Sequence, residues 1–197
     1  MSDTLADRIV DAAVAEATTA TWGALRLRRV AERLDITLAE LGAVFRDKDA
    51  IADAWFARAD AAMLSAGTGD FATLPARERL ARVIMGWLDA MAGHRALTYQ
   101  MLSEKLYLGH PHHNVALVLR ISRTVQWIRE AALLDSTGRR KQVEEIGLTA
   151  LFIATVRRWT TDDSDGQVDT RAFLARRLAQ ADQLMARLWP PNSRLEP

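Results

Sequence analysis

Residues 27–56, LRRVAERLDITLAELGAVFRDKDAIADAWF, carry the strongest structural signal in this chain. The first eight of them place apolar side chains along one stripe of a helix. A turn begins at Asp35, and Thr37 is suited to cap a second helix, with the carboxylate of Glu40 at the spacing of a capping box. The pattern predicts two short helices joined by a tight turn and followed by a longer one, which is the arrangement of a helix-turn-helix.

The second of these helices has two unlike faces. Leu41 and Phe45 are predicted to point to the core and pack against an opening helix. The outer face would consist of Leu38, Ala39, Glu40, Gly42, Ala43 and Val44. Base edges and phosphates are bound by hydrogen-bonding or cationic groups, and this outer face offers few of them.

The first 66 residues are acidic overall. They contain eight basic and eleven acidic residues, so their net charge is −3 against +4 for the rest of the chain. Since non-specific DNA affinity comes mainly from phosphate neutralisation, this segment supplies little of it. A local basic patch formed by Arg26, Arg28, Arg29 and Arg33 is expected on one side.

Composition limits the class of protein. Nearly half of the 197 residues are apolar, which is enough for a substantial core. There is no run of about 18 apolar residues, and the N-terminus lacks the basic and apolar regions of a secretory signal. The absence of cysteine excludes disulfides and thiolate metal sites. We therefore expect a cytoplasmic protein.

Helical periodicity runs through the whole chain, and the alternation of period two that marks strands is absent. We predict an all-α fold of about nine helices, with three in a helix-turn-helix domain at 1–47 and six in a ligand-binding and dimerisation domain at 48–197. The predicted helices cover 4–17, 27–34, a short stretch after Thr37, 48–63, 75–92, 96–108, 113–134, 140–159 and 169–188. Small and polar residues at 65–70 predict a linker.

Few residues suggest catalysis or metal binding. Three of the four histidines lie in the segment GHPHH at 109–113, at a helix break and without a carboxylate at ligand spacing, so a solvated loop explains them better than a metal site. Asp163 and Asp165 resemble the start of a calcium loop whose remainder is missing. No phosphate-binding glycine loop or nucleophile elbow is present. We predict no catalytic residue, no metal, no cofactor and no enzymatic activity.

Two late helices carry a dimerisation signature, because each mixes small and large apolar residues on a broad face. The predicted interface consists of Ile146, Ala150, Ala154, Phe173, Leu178 and Met185. The alternative is ordinary packing within one chain.

Several motifs of the first sixty residues occur in a fixed order. They are an alanine-rich helix (9–13), Trp22, the sequence VAERL (30–34) and Phe45-x-x-Lys48-x-x-Ile51. In this order they resemble the N-terminal domain of the TetR-type transcriptional repressors, over about 8–62. The chain departs from the family pattern at Arg26, where a Ser or Thr cap is usual, and at Asp35, where the turn usually carries glycine.

The resemblance implies a ligand-responsive, DNA-binding transcriptional regulator that acts as a homodimer. Phosphates of a DNA operator would be held by Arg26, Arg28, Arg29 and Lys48. Backbone contacts at Thr37, Leu38 and Gly42 would approach the groove. In this family the last two helices form a four-helix bundle across a two-fold axis.

The resemblance also implies a pocket for a hydrophobic small molecule or lipid. Methionine and aromatic side chains are adaptable pocket linings, although each is also an ordinary core residue. The predicted pocket consists of Met85, Trp87, Met91, Tyr99, Met101, Leu102, Leu106, Ile121 and Val125.

A second, partial resemblance involves short pieces at 104–110, 159–162 and 170–179. They are similar to the lipid-binding accessory protein of ubiquinone biosynthesis, which shares the TetR-type architecture but binds isoprenoid lipid. That resemblance implies that the helix-turn-helix domain, called the head below, does not bind DNA, and that an amphipathic helix makes a peripheral membrane contact. Surface arginines on the last helix would serve this contact, namely Arg171, Arg176, Arg177 and Arg187.

Overall fold

The computed structural model describes residues 4–105 and 111–190, and the side chains of 4–104 and 121–190. Within those ranges the chain forms nine α-helices and no strand, which confirms the all-α prediction. The helices are α1 (Leu5–Thr19), α2 (Leu27–Leu34), α3 (Leu38–Val44), α4 (Lys48–Leu64), α5 (Ala76–Met91), α6 (Arg95–Lys105), α7 (Pro111–Ala131), α8 (Gly138–Thr160) and α9 (Val168–Leu188). Short 3₁₀ turns occupy Phe71–Thr73, Ala92–His94 and Asp165–Gln167.

The turn between α2 and α3 forms as the sequence predicts. Asp35 ends α2 in the left-handed conformation, with φ of 54°, which costs an aspartate less than most residues. Thr37 caps α3: its hydroxyl accepts the Glu40 N–H at 3.1 Å, while the Glu40 carboxylate accepts the Thr37 N–H at 2.8 Å. The capping box therefore fixes where α3 begins and which residues face inward.

The helix-turn-helix is held together by apolar packing on its inner side. Leu41 is 1% exposed and Phe45 is 9% exposed, as predicted. α1 supplies a buried stripe that includes Ile9 and Ala13, and it contacts both α2 and α3. The side chain of Trp22 is buried, and its backbone N–H donates to Gln100 on α6 at 2.8 Å.

The chain divides into two compact units. One consists of Met1–Ala61 with Ala90–Leu117, and the other of Ala62–Asp89 with Val118–Pro197. The predicted boundary between functional domains at 47 and 48 is a different kind of division, and it remains a prediction.

Polar contacts organise the second unit. Between α8 and α9, Asp162 is 1% exposed, and its carboxylate accepts hydrogen bonds from the backbone and hydroxyl groups of Ser164 and Thr170. Burial acts to raise the pKa of Asp162, but these hydrogen bonds outweigh it and hold the pKa well below its usual value. Asp162 therefore stabilises the start of α9 as a buried anion.

A second polar cluster joins α7 to α8. The guanidinium of Arg129 is 4% exposed and donates to Glu144 at 2.8 Å and to the hydroxyl of Ser136 at 3.1 Å. Burial favours a higher pKa for Glu144, while hydrogen bonds from Ser136, Arg140 and Arg129 lower it below the usual value.

Candidate nucleic-acid interface

The outer face of α3 is largely apolar, and its polar side chains form hydrogen bonds with each other at the start of the helix. The side chains of Leu38 and Val44 are 55% and 38% exposed. Thr37 and Glu40 are both engaged in the capping box, and the hydrogen bonds from the Thr37 backbone and hydroxyl lower the pKa of Glu40. Gly42 lies between Leu38 and Val44 on the exposed side, and a Cβ atom there would meet nothing within 4 Å among the described residues. This face therefore offers methyl groups and close backbone approach.

Most cations of the first unit whose side chains the structure describes are already paired with carboxylates. Arg29 and Arg33 both approach Glu16, at 3.4 and 3.8 Å. Arg58 bonds to Asp7 and Asp11 on α1. These contacts explain how an acidic segment tolerates its charge, and they reduce the number of cations that face solvent alone.

Arg26 and Arg28 are the exceptions among the predicted phosphate contacts. Both are exposed, and neither forms an ion pair within the described part of the chain. Arg26 occupies the N-cap position of α2 in an extended conformation, but its side chain makes no capping hydrogen bond. Its guanidinium therefore remains available to a ligand.

Lys48 lies at the first residue of α4. The carboxylate of Asp47 accepts the N–H of Ala50 at 2.7 Å and fixes this turn. The ammonium of Lys48 is half-buried and donates to Glu104 on α6 at 2.7 Å. The predicted phosphate contact is therefore occupied by a carboxylate in this structure.

The predicted pocket residues are distributed between the two units. Met85, Trp87 and Val125 are buried in the second unit, with Ile121 partly buried there, and Met91 and Met101 are buried in the first, with Leu102 partly buried. Tyr99 is 55% exposed. Leu106 and part of the GHPHH segment lie outside the described residues, as do the side chains of His112 and His113.

A groove of about 430 Å³ lies along α5, α8 and α9 in the second unit. Four of the predicted interface residues line it, namely Ala150, Ala154, Leu178 and Met185. Ile146 is 72% exposed on the same helix, one turn from Val143 and Ala150 of the lining. Phe173 is partly buried and lies under the guanidinium of Arg177 at 5.3 Å.

Sequence reasoning missed three groups. Asp162 and Ser164 lie in a segment that the sequence marks as a turn, and their spacing of two residues is that of an Asx-turn. The contact of Asp162 with Thr170, eight residues further on, has no such local signal. Glu104 carries no sequence signal that would pair it with Lys48, which is 56 residues away. The same holds for Arg129 and Glu144.

Comparison with solved structures places the chain in a family. The crystal structure of the TetR transcriptional regulator from Nitrosomonas europaea ATCC 19718 matches with a TM-score of 0.81 and 43% identity, covering 91% of this chain and 98% of that one. The chain belongs to the TetR family of transcriptional regulators. A regulatory protein in the tetR family from Rhodococcus RHA1 has the same fold, with a TM-score of 0.52 and 23% identity, covering 91% of this chain and 96% of that one.

A family model and the curated proteins were also compared with the chain. The COQ9 family model matches residues 145–185, which include most of α8 and α9. Two of the three pieces that resemble the TetR-fold accessory protein, 159–162 and 170–179, lie within this range, and the piece at 104–110 does not. No match was found among curated proteins. Among the described helices, none combines the length and apolar character needed to cross a bilayer.

Proposed function

We propose that this TetR-family chain is a ligand-responsive transcriptional regulator that binds DNA as a homodimer. The observation that carries the proposal is its 43% identity to a TetR transcriptional regulator over 91% of the chain. The intact helix-turn-helix, with its capped α3 and buried Leu41, supports it because this architecture presents a helix to the major groove.

Phosphate contacts would come chiefly from α2. Arg26 and Arg28 are exposed and without an ion pair in the described residues, and Arg29 can exchange its 3.4 Å contact with Glu16 for a phosphate. Since the surrounding segment is acidic overall, non-specific binding should be weak. Affinity would then depend on these few arginines being positioned on the backbone of the correct site.

Base recognition would use apolar contact at the beginning of α3. Thymine presents a C5 methyl group in the major groove, and apolar side chains recognise it. Leu38 is the first residue of α3 and the most exposed large apolar residue there. Gly42 would allow the backbone to approach closely. We expect operator positions opposite Leu38 to be A·T pairs.

Dimerisation would bury the outer face of α8 and α9. Large apolar side chains are exposed on these helices: Leu184, which lines the groove, is 54% exposed, and Ile146, Ile153 and Leu188 are 72%, 48% and 53% exposed. Large apolar side chains exposed on the same two helices mark a candidate protein–protein contact. A second copy related by a two-fold axis would cover them and place two heads on successive half-sites.

A footprinting experiment tests the proposal. The full-length protein should protect a two-half-site sequence upstream of its own coding region, with half-sites about 34 Å apart, and a hydrophobic ligand should weaken that protection. Absence of protection on all upstream fragments at low salt would contradict it.

The match of the COQ9 family model to 145–185 favours one second candidate, a lipid-binding accessory protein with a head that does not bind DNA. The apolar outer face of α3 and the acidic first unit are consistent with it. Native mass spectrometry of the purified protein discriminates between the two. A stoichiometric isoprenoid or acyl lipid without DNA binding would favour the second candidate.

A further inference from the structure

In the first unit, the carboxylate of Glu104 is paired with Lys48, which the sequence predicts to bind a DNA phosphate. Glu104 is near the end of α6, and its carboxylate accepts a hydrogen bond from the Lys48 ammonium at 2.7 Å. The two side chains are 36% and 34% exposed, so the pair lies at the surface of the unit. A DNA phosphate that approaches Lys48 would therefore meet a cation that is already neutralised.

The backbone around this pair is shaped to receive the carboxylate. A Cβ atom placed on Gly23 would lie 2.8 Å from Oε1 of Glu104, closer than side chains tolerate. The absence of a side chain at Gly23 thus leaves room for the Glu104 carboxylate in its present position. Any other residue there would push the carboxylate away.

α6 is held to the rest of the first unit at two further points. Gln100 accepts the Trp22 N–H at 2.8 Å, and the hydroxyl of Thr98 accepts the indole N–H of Trp55 at 3.4 Å. Lys48 itself is fixed by the capped first turn of α4. The position of α6 therefore determines whether Glu104 reaches the ammonium.

We propose that Glu104 gates phosphate binding by Lys48, so that Lys48 contributes a phosphate contact only when the carboxylate has released its ammonium. This inference rests on the proposed DNA-binding function. Half-exposed ion pairs are weak, so a phosphate can displace Glu104, and the gate tunes affinity instead of abolishing it. We expect release of the carboxylate to raise DNA affinity about threefold per protomer, and about tenfold for a complex with two heads.

Two variants open the gate by different means. Glu104→Gln removes the negative charge while keeping the shape of the side chain. Gly23→Ala changes no charge and displaces the carboxylate, which can move because it ends a flexible side chain. Gly93→Ala is the matched control, since a Cβ there meets nothing within 4 Å among the described residues.

The experiment measures binding to an upstream DNA fragment and retention on a heparin column across a salt series. Glu104→Gln and Gly23→Ala should both bind DNA more tightly, with log K falling more steeply against log salt by about one per protomer. Both should also elute from heparin at higher salt than the wild type. Gly93→Ala should behave as wild type. In a Lys48→Gln background the two gains should disappear.

Two results would overturn the gate. A gain that persists in the Lys48→Gln background would show only a general charge effect, and a loss of affinity in Glu104→Gln would show that the carboxylate positions Lys48 instead of blocking it. Failure of the proposed function is distinguishable. In that case no variant binds duplex DNA specifically, yet Glu104→Gln and Gly23→Ala still elute later from heparin if the gate is correct.

Discussion

The helix pairs α2–α3 and α8–α9 have similar connections between their helices but differ in how many large apolar side chains they expose. Each pair is joined by a short connection with a left-handed residue, Asp35 in one and Gln167 in the other, and each uses side chains to satisfy a helix start. Their outer faces are both apolar. However, α3 exposes two large side chains, whereas α8 and α9 expose several around a groove of about 430 Å³.

This difference in extent indicates a difference in role. Burial of apolar surface contributes free energy roughly in proportion to area. Under the proposed function, the face of α8 and α9, with more exposed apolar side chains, would drive association with a second copy, while the face of α3 would add discrimination to a contact held by arginines. Apolar contact would then serve affinity of dimerisation in one pair and DNA specificity in the other.

The inner connections should be the most sensitive part of the comparison, and Asp162 the most sensitive residue. We expect Asp162→Ala to lower the free energy of unfolding by about 4 kcal/mol, because it leaves the buried N–H and hydroxyl of Thr170 without their acceptor. Urea unfolding followed by circular dichroism measures the loss. The exposed Asp165→Ala is the matched control and should change little.

The pH dependence gives a second measurement of the same residue. The pKa of Asp162 is lower in the folded state than in the unfolded state, so its stabilising contribution is complete above about pH 4 and is lost as the pH falls towards the folded pKa. The wild type should therefore lose stability below about pH 4 more steeply than Asp162→Ala. Parallel acid profiles for the two proteins would contradict this role.

In the α2–α3 pair, two leucines three residues apart separate the inner from the outer face. Leu41→Ala should lower the free energy of unfolding by about 3 kcal/mol, since Leu41 is 1% exposed and its truncation leaves a cavity. Leu38→Ala should cost less than about 0.5 kcal/mol because Leu38 is 55% exposed. Leu38→Ala should instead abolish the discrimination between thymine and uracil in the operator, measured by fluorescence anisotropy. Equal destabilisation by both changes would refute the assignment of faces.

On α8, a charge at Ile146 should weaken self-association about a hundredfold, because the new carboxylate would be desolvated in the interface. Analytical ultracentrifugation of Ile146→Asp measures the shift towards monomer. Val168→Asp is a suitable control, since Val168 is 61% exposed at the first residue of α9, well before Arg177 of the groove lining, whereas Ile146 lies one turn from lining residues. If Ile146→Asp dimerises like the wild type, α8 does not form the interface.

The smallest expected effect concerns the uncapped start of α2. Arg26→Ser should raise the free energy of unfolding by about 1 kcal/mol, because a serine hydroxyl can accept an N–H that Arg26 leaves without a side-chain cap. The same change should weaken DNA binding by removing a phosphate contact. Thermal unfolding measures the expected gain in stability, and DNA titration of the same preparation measures the expected loss of affinity. If Arg26→Ser is stabilised but binds DNA with unchanged affinity, Arg26 does not contact the DNA.

The sequence predicted those features that depend on near neighbours. The capping box of Thr37 and Glu40 and the burial of Leu41 follow from spacings of three and four residues, and the structure confirms them. The pairing of Lys48 with Glu104 could not be predicted, because it depends on how α6 packs against the head. Tyr99 shows the same limit, because its 55% exposure depends on how α6 packs and not on its neighbours in sequence.

The salt dependence of DNA binding by the wild-type dimer tests the central proposal most directly. Three arginines per protomer, Arg26, Arg28 and Arg29, would neutralise six phosphates, so log K should fall against log salt with a slope of about −5 on the protected upstream fragment. A slope near zero, or no complex at low salt, would contradict the proposal that this TetR-family head binds DNA.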